Sequence, residues 1–455
     1  TDIFTQRSPQ AMTLSELLQV LEKTLSYVPS STNTAEAADI SLYDHQKLTA
    51  AFAVCLWHVF QERGITDYKS YCYGKHQKAL RSAPVYRLAS GDISGIQKFI
   101  YTIPSKGALK SLRGRSLYLD ILLEHIVDEI LEACHVSRSC LLYTGGGHFY
   151  LLLPNTTHTQ AVLQKADSLI NDWFLQHYGT KLYIALASEP CSADDFSVRG
   201  GGAGKVFQKV SQALGQKKLC RYDEQQLTAL FDAQSRYNKD TDGSRECAIC
   251  HTASPAADLQ PYGEDTGDGA EEACASCNAL FRLGKSSLTA SMFVISPSAG
   301  REGVPLPGLA QPYYLQAIRE KELAAMDKPK RIYVKNEITL GQAVSTHLWM
   351  GDYITCNEQG HAVEFTELAQ QTGGSREETG IARIGVLRGD VDNLGAAFIA
   401  GFSSSYDTLS RKVTLSRNLS LFFKQYIKAI CQGHTAEGTP GFTLFTDEVN
   451  RERKV

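Results

Sequence analysis

The spacing of hydrophobic positions changes several times along this chain, and each change marks an element. Leu48, Phe52, Cys55, Leu56 and Val59 follow the i, i+4, i+7, i+8, i+11 series of an amphipathic helix, with Asp44 placed as its cap. The first 80 residues read as helical. From Val85 the period shortens. Val85-Tyr86-Arg87-Leu88-Ala89 predicts a strand ending near Ser90. A helical region follows, interrupted around Pro104 and resuming over 115–135 with Leu117, Ile121, Leu122, Ile126, Ile130 and Leu131 on its buried side. Cys140-Leu141-Leu142-Tyr143, the turn Gly145-Gly146-Gly147 and Phe149-Tyr150-Leu151-Leu152-Leu153 predict a hairpin, followed by a helix over 158–178 and a strand over 181–187. Strand, helix, strand, strand, helix, strand is the ferredoxin-like split, the order also used by polymerase and cyclase palms.

The start of this unit has a second copy. Gly91-Asp92-Ile93-Ser94-Gly95-Ile96 follows the first strand, and Gly389-Asp390-Val391-Asp392-Asn393-Leu394 follows Ile384-Gly385-Val386-Leu387. Only the second copy keeps two acids at i and i+2, which in a strand share one face. Such a pair of hard oxygen ligands can hold Mg²⁺ against nucleotide phosphates. In the first copy Ser94 stands where Asp392 would be, and the hairpin Gly145-Gly146-Gly147-His148 has no acid. That copy is expected to lack two-metal chemistry; its glycine-rich turn and Ser94 are open to nucleotide cradling or to a structural role. The second copy is expected to carry a helix over 406–432, and its equivalent hairpin would begin near or beyond Val455. It is therefore expected to be incomplete and the chain to be part of something longer.

Among twelve cysteines, Cys247-Ala248-Ile249-Cys250 and Cys274-Ala275-Ser276-Cys277 form two CxxC knuckles, the ligand set of a structural, tetrahedral Zn²⁺ site. A net charge of −3 gives no global case for nucleic-acid binding, so such contacts must come from local patches or partners. Lys110, Arg113 and Arg115 are one candidate patch for phosphate or RNA. No apolar run is long enough to span a membrane. Gly200-Gly201-Gly202-Ala203-Gly204-Lys205 fails as a P-loop, because Arg199 replaces the first glycine and Val206 the metal-ligating hydroxyl. Asp44-His45 is a single His-Asp pair with nothing evident to complete a metal site, and a helix cap is its other reading.

One family shows these features together. Ser90-Gly91-Asp92-Ile93-Ser94-Gly95-Ile96-Gln97-Lys98-Phe99-Ile100-Tyr101 resembles the signature of the large polymerase-like subunit of type III CRISPR effector complexes. Ser41-Leu42-Tyr43-Asp44-His45, Tyr143-Thr144-Gly145-Gly146-Gly147, the paired knuckles and Leu387-Arg388-Gly389-Asp390-Val391-Asp392-Asn393-Leu394-Gly395 follow in that family's order, favouring its Csm-type (III-A) branch.

The resemblance implies an α+β multidomain fold with two ferredoxin-like palms, the second incomplete. Residues 1–80 would be a helical, partial HD-type nuclease domain, 81–195 the degenerate palm, 196–375 a linker or helical region with the zinc module at about 236–300, and 376–455 the start of the catalytic palm. It implies target-RNA-activated conversion of ATP to cyclic oligoadenylate, with catalytic Asp390 and Asp392 holding Mg²⁺ or Mn²⁺. Ser94, Gly95, Gly145, Gly146, Gly147 and Asn393 would contact nucleotide, and Asp44 and His45 would be the remnant of a nuclease acting on single-stranded DNA. The implied partners are crRNA, target RNA, the small subunit, the crRNA 5′-handle-binding subunit and the backbone subunits, in the prokaryotic cytoplasm.

Two family features are absent: the Gly-Gly-Asp-Asp segment occurs nowhere in the 455 residues, nor does the early His-Asp dyad. The chain as it stands is expected to be inactive. The alternative is a non-catalytic scaffold that anchors the crRNA 5′ end. A stand-alone diguanylate-type cyclase is the third reading, against which the knuckles and the degenerate palm count.

Overall fold

Helix α1 (Leu14–Leu25) begins with a full capping box: Glu16 N donates to Thr13 Oγ1 while the Glu16 carboxylate accepts from Thr13 N. Helix α2 (Leu42–Glu62) is capped by Ser41, whose hydroxyl accepts from Asp44 N at 3.1 Å. Asp44 therefore lies in the first turn, not at the cap. Leu48, Cys55 and Val59 are buried as their spacing requires, with Phe52 and Leu56 packed at the edge. The structure is a computed structural model and describes residues 12–103, 107–198, 202–235, 238, 244–255, 258–263, 270–300, 303–326, 329–337, 345–351, 362–363, 365–371, 383–386, 389, 394–403, 405–427 and 430. Among these, no helix is long and apolar enough to cross a membrane.

Strands β1 (Tyr86–Ser94), β2 (Leu141–Gly145), β3 (His148–Pro154) and β4 (Tyr183–Cys191) form an antiparallel sheet in the order β2-β3-β1-β4, the ferredoxin-like order. β1 does not end at Ser90 but pairs through Asp92 with β3 and through Ser94 with β4. Gly91 lies within the strand. In the sheet it marks a close approach, since a Cβ there would lie 2.4 Å from the Phe149 ring.

Helix α3 (Ala108–Ala133) starts earlier than the expected 115 and lies at the centre of the molecule. Its apolar residues Ile121, Leu122, Ile126 and Ile130 are fully buried, and Leu117 is half-buried. Three of its acids, Glu124, Asp128 and Glu129, are buried as well. Asp128 accepts from Tyr333 Oη at 2.7 Å, and Glu129 pairs with Arg331 at 2.7 Å. These partners belong to a second sheet; the sequence reading of 300–375 as mixed strand and loop anticipated strands there, but not their pairing into one sheet against α3. After the small knuckle strands β5 (Ser244–Glu246), β6 (Ala253–Pro255), β7 (Gln260–Pro261) and β8 (Glu272–Ala273) come β9 (Met292–Ser296), β10 (Val304–Leu306), β11 (Tyr313–Ile318), β12 (Arg331–Lys335) and β13 (Ser345–Leu348). These five pair in the order β10-β11-β9-β12-β13, antiparallel except for β12 with β13. Such short runs, some wholly buried, give no periodicity that separates strand from helix.

Helix α4 (Thr157–Tyr178) sits in the first palm, followed by α5 (Gly204–Leu219). At the start of α5, Gly204 N donates to Asp407 Oδ2 at 3.0 Å, so a side-chain carboxylate takes the place a P-loop would give to phosphate. The knuckle helix α6 (Ala275–Ser286) crosses α3, and α7 (Leu409–Leu421), capped by Thr408, packs against α2 and β2. α7 begins at 409, not 406, and runs on as a π-helical turn, Phe422–Tyr426.

Candidate functional site: the palm cleft and the cysteine knuckles

The four knuckle cysteines converge, all four sulfurs lying within 4.8 Å of one another. A tetrahedron with Zn–S of about 2.3 Å has edges of about 3.8 Å, and Cys250 and Cys274 Sγ are 3.8 Å apart. The set therefore fits a tetrathiolate metal site. Donors surround it: Cys274 N reaches Cys247 Sγ at 3.3 Å, and Arg115 Nη2 reaches Cys277 Sγ at 3.2 Å.

Arg115 was read from the sequence as part of a basic patch. It is 2% exposed, and its other guanidinium nitrogen donates to Phe99 O at 3.2 Å. Arg113 donates to Gly284 O at 3.2 Å, and Lys110 lies over the Phe281 ring at 5.7 Å. All three residues of that patch hold α6 onto the palm. Their pattern on α3 gave no sign of this, because α6 is far away in sequence.

Asp390, Asp392 and Asn393 lie outside the described residues. The short helix that follows them, Leu394–Ala400, lies against the first palm, with the Phe398 ring 6.2 Å from that of Tyr143 on β2. Buried Lys412 on α7 fixes this arrangement. Its ammonium donates to Phe398 O, pairs with Asp407 at 2.8 Å, and sits 5.8 Å from the Phe207 ring and 5.7 Å from that of Phe402. A cleft of about 370 Å³ opens here, walled by Gly145, Gly146 and His148 on one side and Phe398 and Lys412 on the other.

Ser94, Gly95 and the Gly145-Gly146-Gly147 turn come together at one end of the first sheet. Ile93 N donates to Gly147 O at 2.8 Å, which ties the end of β1 to the turn. Gly95 has φ +93°, and a Cβ there would meet Lys181 O at 2.0 Å, so no other residue fits.

Asp92 is the acid at this end of β1, and two basic side chains engage it. Lys218 Nζ lies 2.5 Å from Asp92 Oδ2, and His148 Nδ1 lies 3.6 Å away on the paired strand. Burial alone would raise the Asp92 pKa, but hydrogen bonds and charge from His148 and Lys218 outweigh it and hold the carboxyl below its ordinary value. Lys218 and His148 thus stand where a divalent ion would bind. Neither was singled out from the sequence for this role, and only the fold brings them to Asp92.

Asp44 and His45 diverge. Asp44 is 1% exposed, and both its oxygens accept from Arg417 Nε, at 3.1 and 3.0 Å, whereas His45 is exposed. Among the described residues no further metal-ligating groups join them.

Comparison with known proteins agrees with this geometry. Residues 85–234 match the family model for Csm1 subunit domain B, and residues 383–446 match the second palm domain of Cas10/Cmr2. The chain is 39% identical over 436 residues to the CRISPR system single-strand-specific deoxyribonuclease Cas10/Csm1 (subtype III-A) of Mycobacterium tuberculosis, covering 92% of this chain and 50% of that protein. To the Streptococcus thermophilus protein of the same description it is 37% identical over 421 residues, covering 91% of this chain and 51% of that one. The crystal structure of an apo Csm1–Csm4 cassette superposes with a TM-score of 0.66 at 26% identity, covering 92% of this chain and 48% of that one. The cassette in complex with pppApA gives 0.68 at 26% identity, covering 94% and 50%. The chain thus spans about half the length of these relatives. A ferredoxin-like palm carrying the Gly-Asp strand and glycine-rich turn, a four-cysteine knuckle and two matching family models agree with this: over 92% of its length the chain is a homologue of the Cas10/Csm1 proteins of CRISPR subtype III-A systems.

Proposed function

We propose that this chain is the palm-bearing part of a subunit that, in a crRNA-guided complex bound to target RNA, converts ATP to cyclic oligoadenylate. The observation that carries this reading is the cleft in which the helix following Asp392 faces the glycine-rich turn of the first palm, in a chain similar to a Csm1–Csm4 cassette that binds pppApA. Related cassettes are described in complex with one ATP and with cA4.

In this reading Asp390 and Asp392 hold Mg²⁺ or Mn²⁺ through a shared strand face. The ion, when bound, neutralises triphosphate charge and lowers the pKa of the attacking hydroxyl. Asn393 would contact nucleotide, while Ser94, Gly95 and Gly145 to Gly147 orient a second nucleotide without metal, since Lys218 pairs with Asp92 and His148 lies beside it. Two ATP molecules then meet as donor and acceptor across the cleft. Hydrophobic and aromatic groups on both walls, Phe398 and Tyr143 among them, exclude water from it.

The knuckles hold a structural Zn²⁺. The whole protein assembles with a Csm4-type subunit at the crRNA 5′ handle, with the small and backbone subunits, and acts in the prokaryotic cytoplasm. It also cuts single-stranded DNA, as the description of its relatives states for them. The test supplies ATP to the reconstituted complex of full-length protein, with and without target RNA, and separates the adenylate products by chromatography. Cyclic products only with target RNA are expected. No product under either condition would leave the scaffold reading standing.

A further inference from the structure

Apart from the palm cleft, a cavity of about 170 Å³ opens where α1, the start of α2, the end of β2, the end of β13 and α7 meet. Its size is that of cavities that accept small organic molecules, but its wall is ionic. Lys47, Arg138, Arg417 and Lys424 face Glu22, Asp44 and Glu124, so cations outnumber carboxylates.

The carboxylates are already engaged. Asp44 accepts from Arg417 Nε and from Thr414 Oγ1, the latter at 2.9 Å. Glu124 pairs with Arg138, and Glu22 faces His347 Nε2 at 3.8 Å. What is left is a set of buried atoms without partners among the described residues. Four are donors: Arg138 Nη1, Arg417 Nη1, Trp349 Nε1 and Thr144 Oγ1. Two others can accept: Gln19 Oε1, on a side chain 4% exposed, and His347 Nδ1, on one 7% exposed. All six residues line this one cavity.

Unmade bonds on buried donors are costly, and native folds seldom leave several together. Water can satisfy a lone donor. Two guanidinium groups with unused N–H atoms call for a charged acceptor, and the planar fork of arginine suits a tetrahedral oxyanion. Gln19 Oε1, and His347 Nδ1 in the tautomer that turns the ring proton toward Glu22, add a discriminating preference for an anion that also carries an O–H. Protonated phosphate has one and sulfate does not.

We propose that this cavity binds a single protonated phosphate group, either inorganic phosphate or the terminal phosphate of a nucleotide. The cavity shares Val413 and Ser416 of α7 with the palm cleft, so its occupant braces the helix that holds Phe398 in place. Binding there does not depend on the cleft's chemistry.

The test titrates full-length protein with inorganic phosphate at ionic strength matched by chloride, following binding by calorimetry and Tm. Saturable binding and a rise in Tm are expected, with sulfate weaker by roughly tenfold. Trp349→Phe and Thr144→Val each remove one donor at little cost in shape. Each should weaken phosphate binding roughly tenfold while leaving the phosphate-free Tm nearly unchanged, and either suffices if the other misfolds. If magnesium-free ATP displaces the phosphate, the source is a nucleotide; if it does not, the source is the free anion. No phosphate response, an equal response to sulfate, or unchanged binding in the folded variants would overturn the proposal.

Discussion

Arg115 shows how far a residue's role depends on what packs against it. On the sequence it stands in a run of cations and invites a phosphate. In the fold its guanidinium is shared between Phe99 O and Cys277 Sγ and lies 5.0 Å from the Phe99 ring. A positive group beside a thiolate stabilises the thiolate, and outer donors of this kind commonly change metal affinity by about 10–100-fold. Arg115→Met keeps an unbranched apolar stem and removes both bonds. Zinc transfer from the variant to a chromogenic chelator is expected to be faster by roughly 10-fold or more. Release at the rate of the natural protein would show that the contact with Cys277 is incidental.

The crossing of α3 and α6 depends on two glycines. A Cβ at Gly284 would lie 1.8 Å from Lys110 O, and one at Gly114 would lie 1.9 Å from Leu280 O, so backbone meets backbone with no flexible atom to yield. Helix preference alone would favour Gly284→Ala by about 1 kcal/mol. The overlap opposes this and is expected to win, with a net loss of about 2 kcal/mol read from chemical denaturation. A gain in stability would contradict the crossing.

On the other side of α3, His125 is buried against the second sheet. Its Nε2–H donates to Pro307 O at 2.6 Å, and its Nδ1 accepts from Arg331 Nη1 at 3.0 Å, which requires the neutral ring. Burial first, and then the charge of Arg331, push its pKa down to about 3, against the pull of Asp128. With the folded pKa below the unfolded value of about 6.5, the unfolded chain takes up the proton first. This stability is therefore complete above about pH 6.5 and is lost progressively as the pH falls toward about 3. Between about pH 7 and about pH 5 the loss is of the order of 2 kcal/mol. It should be missing from folded His125→Gln; equal acid sensitivity in both proteins would rule it out.

These elements also show what was legible in the sequence. The first palm could be read because each strand and helix presents one apolar face to one core, and the period survives in the order of residues. The knuckles could be read because two CxxC spacings already fix the ligand set. The pairing of the second sheet was hidden by its short strands and by the partners of α3: Asp128 and Glu129 look solvent-facing until Tyr333 and Arg331 arrive from a distant segment. Asp92 was read as part of a copy without two-metal chemistry; the basic side chains that engage it, His148 and Lys218, come from β3 and α5 and could not be placed beside it from the sequence.

At the scale of the whole molecule, the account holds that two palms face one another and that only the second carries metal chemistry. Lys412 supports the first half of that statement, since a buried ammonium with Asp407, Phe398 O and two aromatic rings around it locks α7 and the helix after Asp392 to the first palm. The second half rests on Asp390 and Asp392. The most direct measurement is ATP turnover by the reconstituted complex with bound target RNA, comparing the natural full-length protein with Asp390→Ala, Asp392→Ala and Ser94→Ala. Metal stabilisation of the phosphates is most of what such a site contributes, so either aspartate variant should lose roughly 100-fold or more of the turnover while still assembling on guide and target RNA. Ser94→Ala should lose far less. Near-normal turnover by a folded, assembled Asp390→Ala protein would contradict the account and leave the duplicated Gly-Asp strand as a structural relic.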